Sequence, residues 1–339
     1  MNKEFWSNKN VAVAGGASFI ASHAIKQLLD AGARIKIIDD LSSGSLENVP
    51  AGAAINIGDL RQYKIAYDFF RGADIALDFS SVHGGRGFVG TNHEVAISDN
   101  FIINTNVVKA AVENKVERLF FASSGCIYDT NRQMDETQDV RIPESWEDHT
   151  TIMHPDGMYG LTKLAHEKTL RAYHNDGLIK VATCRFFTVF GRRMKENHFI
   201  LATIAKSFAK TDPFYIWGNG EEIRNFTPVQ NTVQGLLLAT EQANGEIYNI
   251  GLEQRITIKD AAFKIWDMMG WRPEVVVFQP NKPVGIRNRV SDCTKARTEL
   301  GWNPTMSFEE GLRDTIDWYV STHDEKEVRE TLERKLTER

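Results

Sequence analysis

From Asn10 to Arg185 short β-branched runs alternate with helical patterns, and no other feature of the sequence restricts the fold as strongly. Strands joined through helices return in the same direction and pair in parallel. The candidate strands are Val11–Ala14, Arg34–Ile38, Ala54–Ile57, Ile75–Phe79, Arg118–Ala122 and Lys180–Arg185. None has a clean polar face, so each is expected to be covered by helices on both sides. Between them Phe19–Asp30, Asn100–Asn114 and Tyr159–Asn175 repeat apolar residues at helical spacing. The expected class is α/β: a Rossmann-type doubly wound parallel sheet with a smaller C-terminal α/β substrate lobe.

After Arg185 the order is less regular. A basic segment with Arg192, Arg193 and Lys195 precedes a helix near Phe199–Lys210 and the turn Trp217-Gly-Asn-Gly220. A helix–strand pair, Asn231–Ala243 then Glu246–Ile250, has the pattern of the first lobe again. The division expected is a first lobe over 1–185 to which 228–252 returns, and a second lobe from 186–227 and 253–322. Residues 323–339 are almost all charged and read as a solvated helix or frayed tail.

The first candidate strand runs into Gly15-Gly-Ala-Ser-Phe-Ile-Ala21. A dinucleotide turn carries glycines at the first, fourth and seventh of these positions, for a tight turn, close approach of backbone to pyrophosphate, and helix–strand packing. Only Gly15 is kept; Ser18 and Ala21 are the next smallest choices, and Ser18 has a hydroxyl to donate. Phe19 and Ile20 then open the helix. The second strand ends in Asp39-Asp40, roughly 20 residues beyond the turn, where a carboxylate accepts from both adenine-ribose hydroxyls and repels a 2′-phosphate. NAD is therefore expected over NADP, and 1–185 is read as its domain. Asp59 and Leu60 follow the third strand, where they either meet the adenine edge or cap a helix. Ser81 follows the fourth.

Two further elements fall at the carboxyl ends of later strands, where such sheets collect ligands. Ser123-Ser124-Gly125-Cys126-Ile127-Tyr128 follows the fifth strand, and Tyr159-Gly-Leu-Thr-Lys163 opens a helix. Tyr159 and Lys163 share a helical face, and an ammonium beside a phenol favours the phenolate. Tyr159 is thus read as a base usable near neutral pH, with Ser124 beside it.

The net charge of −5 provides no general field for nucleic acid, so an anionic ligand has to be met by local cations or backbone amides. No window is long and apolar enough for a signal peptide or a membrane span. The three cysteines have neither CxxC spacing nor an even-numbered framework, which argues against disulfides and a zinc site. The protein is expected to be cytoplasmic, with no metal, nucleic-acid or membrane partner.

With these residues in view, the chain resembles the extended short-chain dehydrogenases/reductases, the NAD-dependent epimerase/dehydratase family, and within it the GDP-mannose 3,5-epimerases. The shared stretches include His83-Gly-Gly-Arg-Gly-Phe88, Ser123–Tyr128, Tyr159–Lys163, Trp217–Gly220, Arg224-Asn-Phe-Thr227, Arg289-Val-Ser-Asp292, Leu300-Gly-Trp302 and Glu310-Gly-Leu-Arg313. The resemblance implies a nucleotide-diphosphate-sugar substrate and a homodimer. It implies that Tyr159, with Lys163, takes the C4 hydroxyl proton while C4 hydride leaves, and that Ser124 bonds the C4 oxygen. The C4 ketone acidifies the neighbouring carbons, and a thiol such as Cys126 then removes or returns a proton at C3 or C5 before C4 is reduced again.

Dehydratases of the group have Asp and Glu where this chain has Gly125 and Cys126. The resemblance further implies that Gly85, Arg86, Asn197, Arg224 and Arg289 contact substrate, the arginines by forking onto phosphate oxygens. The second acid/base group of the 3,5-epimerases is a lysine; counting back from Trp217 gives His198 instead, which titrates near neutrality, with Lys195 nearby as the other candidate. A 4-epimerase or dehydratase is the neighbouring alternative, and an NAD-binding sensor or scaffold is the alternative of another class.

Overall fold

In a computed structural model, residues 1–83, 93–134, 141–146 and 154–336 are described. Seven strands form one parallel sheet: β1 (Asn10–Ala14), β2 (Arg34–Asp39), β3 (Ala54–Ile57), β4 (Ile75–Asp78), β5 (Arg118–Ser124), β6 (Lys180–Phe186) and β7 (Ile247–Ile250). Their order across the sheet is β7-β6-β5-β4-β1-β2-β3. The order reverses at β1, which pairs with β2 on one side and β4 on the other, and a crevice opens there beyond the carboxyl ends.

Alternation along β1 decides the two layers. Val11 and Val13 point to a core completed by α1 (Phe19–Asp30) and, further along the chain, by Val229–Gln242. Ala12 and Ala14 point to the opposite core, built with α2 (Tyr63–Phe70), α3 (His93–Glu113) and α4 (Gly157–Asn175). The sheet is doubly wound, as the alternation in the sequence requires. One expectation fails: β3 is not covered on both faces, and Ile57 is 68% exposed. It is the edge strand, beyond the reach of the helices that cover the centre.

A third core gathers Phe190, Ile200, Ile204, Phe226, Ile265, Phe308 and Ile316. Its helices are α5 (Phe199–Phe208), α6 (Ile258–Met269), α7 (Phe308–Thr322) and α8 (Glu325–Lys335). Small sheets complete this region, such as Phe214–Trp217 paired in parallel with Val276–Gln279. The charged C-terminal segment corrects the sequence reading. Asp324 caps α8 by accepting from the Lys326 and Glu327 amides, and Val328 and Leu332 on one face are buried at 1% and 7% exposure. Two apolar residues at helical spacing suffice to dock an otherwise charged helix.

Candidate active site

The turn after β1 keeps glycine where geometry demands it. Gly15 has φ +68°, and a Cβ there would lie 2.8 Å from the Ser80 amide. Ser18 has an ordinary φ of −84°, and its hydroxyl donates to the Gly15 carbonyl at 2.6 Å, so serine closes the turn without strain. Ala21 is wholly buried against the sheet. The helix N-terminus and its tight turn fit the pyrophosphate of a dinucleotide despite the missing glycines.

Asp39 is buried and accepts from the Ala17 and Leu41 amides, at 3.0 and 2.9 Å. Burial pushes its carboxyl above the ordinary value, against the pull of those amides and of Lys195. Asp59 pairs with Arg61 at 2.9 Å, which holds its carboxyl below the ordinary range. Leu60 is buried next to it, and Ser81 donates to Asn100 at 3.1 Å. Gly15, Ser18, Phe19, Ile20, Asp39, Asp59, Leu60 and Ser81 line one cleft of about 1240 Å³.

The same cleft takes in Ser124, Cys126, Tyr159, Lys163, Asn197, His198, Arg224 and Arg289. Ser124 ends β5 and accepts from the Cys126 amide at 3.1 Å, closing a short turn. Gly160 lets α4 press on that turn, since a Cβ at 160 would stand 2.2 Å from the Cys126 carbonyl oxygen. Tyr159 thereby reaches Ser124 and is hydrogen-bonded to it. Cys126 is half-buried, and the Arg289 guanidinium donates to its sulfur at 3.2 Å. Arg289 also donates to Gln133 at 2.9 Å and pairs with Asp156 at 3.2 Å. Arg224 donates to the Ile223 and Ile286 carbonyls, at 2.8 and 2.9 Å.

Two electrostatic expectations are corrected. The Tyr159 phenol is pushed above its ordinary value by burial and by Cys126, with only the Ser124 hydrogen bond opposing. Lys163 donates to the Ala122 carbonyl at 2.8 Å, its nitrogen 5.6 Å from the Tyr159 ring centre, rather than bonding the phenol. Burial lowers Lys163 itself to about 8, opposed by Asp78, Glu167 and Cys126. His198 does not titrate near neutrality: burial, helped by Lys195, lowers it to about 4, so its imidazole is neutral at pH 7. Lys195 reaches the other way, to the Ser43 hydroxyl at 3.4 Å.

Gly85 and Arg86 lie outside the described residues. His83 was not singled out as a site residue, although it opens the glycine-rich run carrying the resemblance. Its ring stacks on Tyr159 at 4.2 Å and lies 6.3 Å from the His198 ring. Between β6 and α4, Arg185 and Glu167 form a wholly buried ion pair at 2.6 Å. Glu167 also accepts from Ser123 at 2.5 Å, and Arg185 donates to Tyr128 at 2.8 Å. These residues fix the backbone that carries Ser124, Tyr159 and Lys163.

A turn for pyrophosphate, a carboxylate at the ribose position and a serine, tyrosine and lysine at the crevice are the parts of a dinucleotide-dependent oxidoreductive site. Comparison with known proteins agrees. The GDP-mannose 3,5-epimerase of Arabidopsis thaliana is 29% identical over 322 residues, covering 93% of this chain and 84% of that protein. A UDP-N-acetyl-alpha-D-glucosaminuronate decarboxylase of Bacillus cytotoxicus is 26% identical over 326 residues, 92% of this chain and 98% of its own. The crystal structure of UDP-glucose 4-epimerase with UDP-glucose from Thermotoga maritima superposes with a TM-score of 0.83 at 25% identity, covering 92% of this chain and 99% of the other. The model of the NAD dependent epimerase/dehydratase family matches residues 11–251, and the chain belongs to that family of NAD-dependent nucleotide-sugar enzymes.

Proposed function

We propose that the protein is a nucleotide-sugar epimerase that oxidises C4 of the sugar transiently, inverts C3, C5 or both by proton transfer, and reduces C4 again. The carrying observation is Cys126: a half-buried thiol one turn from Ser124, on the wall shared with Tyr159, its sulfur within 3.2 Å of the Arg289 guanidinium. A 4-epimerase has no proton to move at C3 or C5 and no use for such a thiol.

NAD would be held by Gly15, Ser18, Phe19, Ile20, Asp39, Asp59, Leu60, Ser81, Tyr159 and Lys163, and when bound would supply the hydride acceptor and donor. Burial keeps the Tyr159 phenol protonated in the ligand-free site, so its role as acceptor of the C4 hydroxyl proton would depend on the positive nicotinamide of bound NAD offsetting that burial, with Lys163 adding positive charge 5.6 Å from its ring. Ser124 orients the C4 oxygen. Cys126 moves the proton at the carbon made acidic by the ketone, and His198, a neutral imidazole at pH 7, is the second group on the cleft wall. Asn197, Arg224 and Arg289 meet the rest of the nucleotide sugar; Arg289 does so from a guanidinium already shared with Cys126. The similarity to GDP-mannose 3,5-epimerase supports GDP-mannose as the first substrate to try.

Incubation with nucleotide sugars in deuterated water tests this reading. Deuterium at C3 or C5 is expected, and inversion at C4 with every carbon-bound hydrogen retained would replace it with a 4-epimerase. In the Cys126→Ser variant, C4 oxidation should persist while solvent exchange falls about 100-fold, a usual scale for losing one acid/base group.

A homodimer is part of the proposal. Phe101 and Ile102 on α3 and Leu161 on α4 are 40%, 45% and 36% exposed on helices that pack side by side. The Phe101→Glu variant should sediment as a monomer. A cytoplasmic setting follows from the need to keep Cys126 a thiol; all three cysteines are free.

A further inference from the structure

The cleft segment 191–198 is tied to the rest of the molecule by residues far away in sequence. Arg192 forms an ion pair with Asp314 of α7. Arg193 donates to the Asn48 carbonyl at 3.5 Å and Lys195 to Ser43 at 3.4 Å, both in the loop after β2 that runs beside Asp39. Glu196 turns away from that loop. Its carboxylate accepts from the Tyr319 hydroxyl at 3.1 Å and pairs with Lys335 at 3.5 Å. Glu196 itself, with Asn197 and His198 after it, lines the cleft.

Both partners of Glu196 come from the C-terminal helix pair. Tyr319 is fully buried, stacked on His323 at 4.0 Å, and belongs to the core that also holds Met194, Ile200, Val328 and Leu332. Lys335 lies in the last turn of α8, which is anchored further by Arg329 donating to the Ala209 carbonyl at the end of α5. Glu333 and Leu336 extend the same helix end into the cleft wall. The carboxylate is 13% exposed and the ammonium 22%, so the pair is less screened than a free surface ion pair.

We propose that α8 is a latch on the substrate side of the cleft: through Lys335 and Tyr319 it fixes Glu196, a positioning residue, and so sets where Asn197 and His198 meet the sugar nucleotide. Nothing in this role requires α8 to touch the reacting carbon. The proposal rests on the cleft binding a nucleotide sugar. It also assigns a purpose to a helix whose charged sequence gives it no reason to be docked other than Val328 and Leu332.

The test uses the full chain with Glu196→Ala, Lys335→Met and the conservative Lys335→Arg. Calorimetric titration with GDP-mannose and UDP-glucose, beside a separate titration with NAD, reads the sites without requiring turnover. For whichever sugar nucleotide binds, Glu196→Ala and Lys335→Met should weaken affinity about tenfold; Glu196 lines the cleft and Lys335 does not, so the Lys335→Met loss is the one that reports positioning through Glu196. NAD affinity should change less than about threefold and Lys335→Arg should behave as wild type, since its charge is kept.

Hydrogen exchange of the 192–200 backbone, measured without ligand, should quicken in the two disruptive variants. Unchanged exchange with retained melting temperature would overturn the latch. So would faster exchange with unaltered sugar-nucleotide affinity. If no sugar nucleotide binds the wild type, the functional reading fails, and the exchange measurement still decides the latch.

Discussion

The two walls of the cleft are held by different kinds of interaction. On the oxidation side, Ser124, Tyr159 and Lys163 stand on β5 and α4, cross-braced by the Arg185–Glu167 pair with no exposed surface and by the close pass at Gly160. On the substrate side, Asn197 and His198 stand on a segment tied through Arg193, Lys195 and Glu196 by links of 3.1 to 3.5 Å, and through an Arg192–Asp314 ion pair that is partly open to water. Buried, hydrogen-bonded charges are costly to disturb and leave one arrangement; half-exposed ones yield for a modest cost. The hydride-transfer geometry is common to the family's reactions and is the rigid part, whereas the wall that meets a particular sugar is the adaptable one.

The largest expected effect lies on the rigid side. Tyr159→Phe removes the group proposed to take the C4 proton and should lower turnover by about 100- to 10,000-fold. Because the wall stays braced, the hydrogen exchange of residues 192–200 should not change; altered exchange there would mean that the two walls are not separate.

Next comes Arg185→Met, which leaves Glu167 buried without its guanidinium and should cost about 3–5 kcal/mol in denaturant unfolding. Lys335→Met, at the other wall, should cost less than about 1 kcal/mol. Similar losses from the two would erase the contrast drawn above.

The smallest effect is a pH slope. His166 is buried, its Nε2 has no hydrogen-bond partner among the described residues, and burial, helped by Lys163, lowers it to about 3 from 6.5. The unfolded chain therefore binds a proton at pH below 6.5 that the folded chain refuses, so this contribution to stability is intact above 6.5 and declines as pH falls toward 3. His166→Leu should flatten the fall in melting temperature between pH 7 and about 5. An identical slope in the variant would show that other groups set it.

Legibility in the sequence follows the same division. The strands and α1 could be read because short β-branched runs between helical repeats are a local signal, and Phe19–Asp30 coincides with the observed helix. In the second lobe the paired segments Ile223–Arg224, Ile256–Thr257 and Asn288–Arg289 are two residues long and carry no period. The ties of Glu196 depend on Tyr319 and Lys335, more than 120 positions away, and nothing near residue 196 announces them. The residue types at the site were legible from motifs, but their charge states were not. For Tyr159 and His198 burial decides, and burial is a property of the packed chain.

The close pass at Gly160 has a consequence for how chemistry varies on this scaffold. What α4 presses on is the main-chain oxygen of residue 126, not its side chain. The helix that carries the phenol thus meets the turn at backbone, and the side chain at 126 is an interchangeable tool on that mount. In the proposed reaction, replacing the thiol would alter what is done to the ketone once formed, while the spacing that forms the ketone would stay as it was.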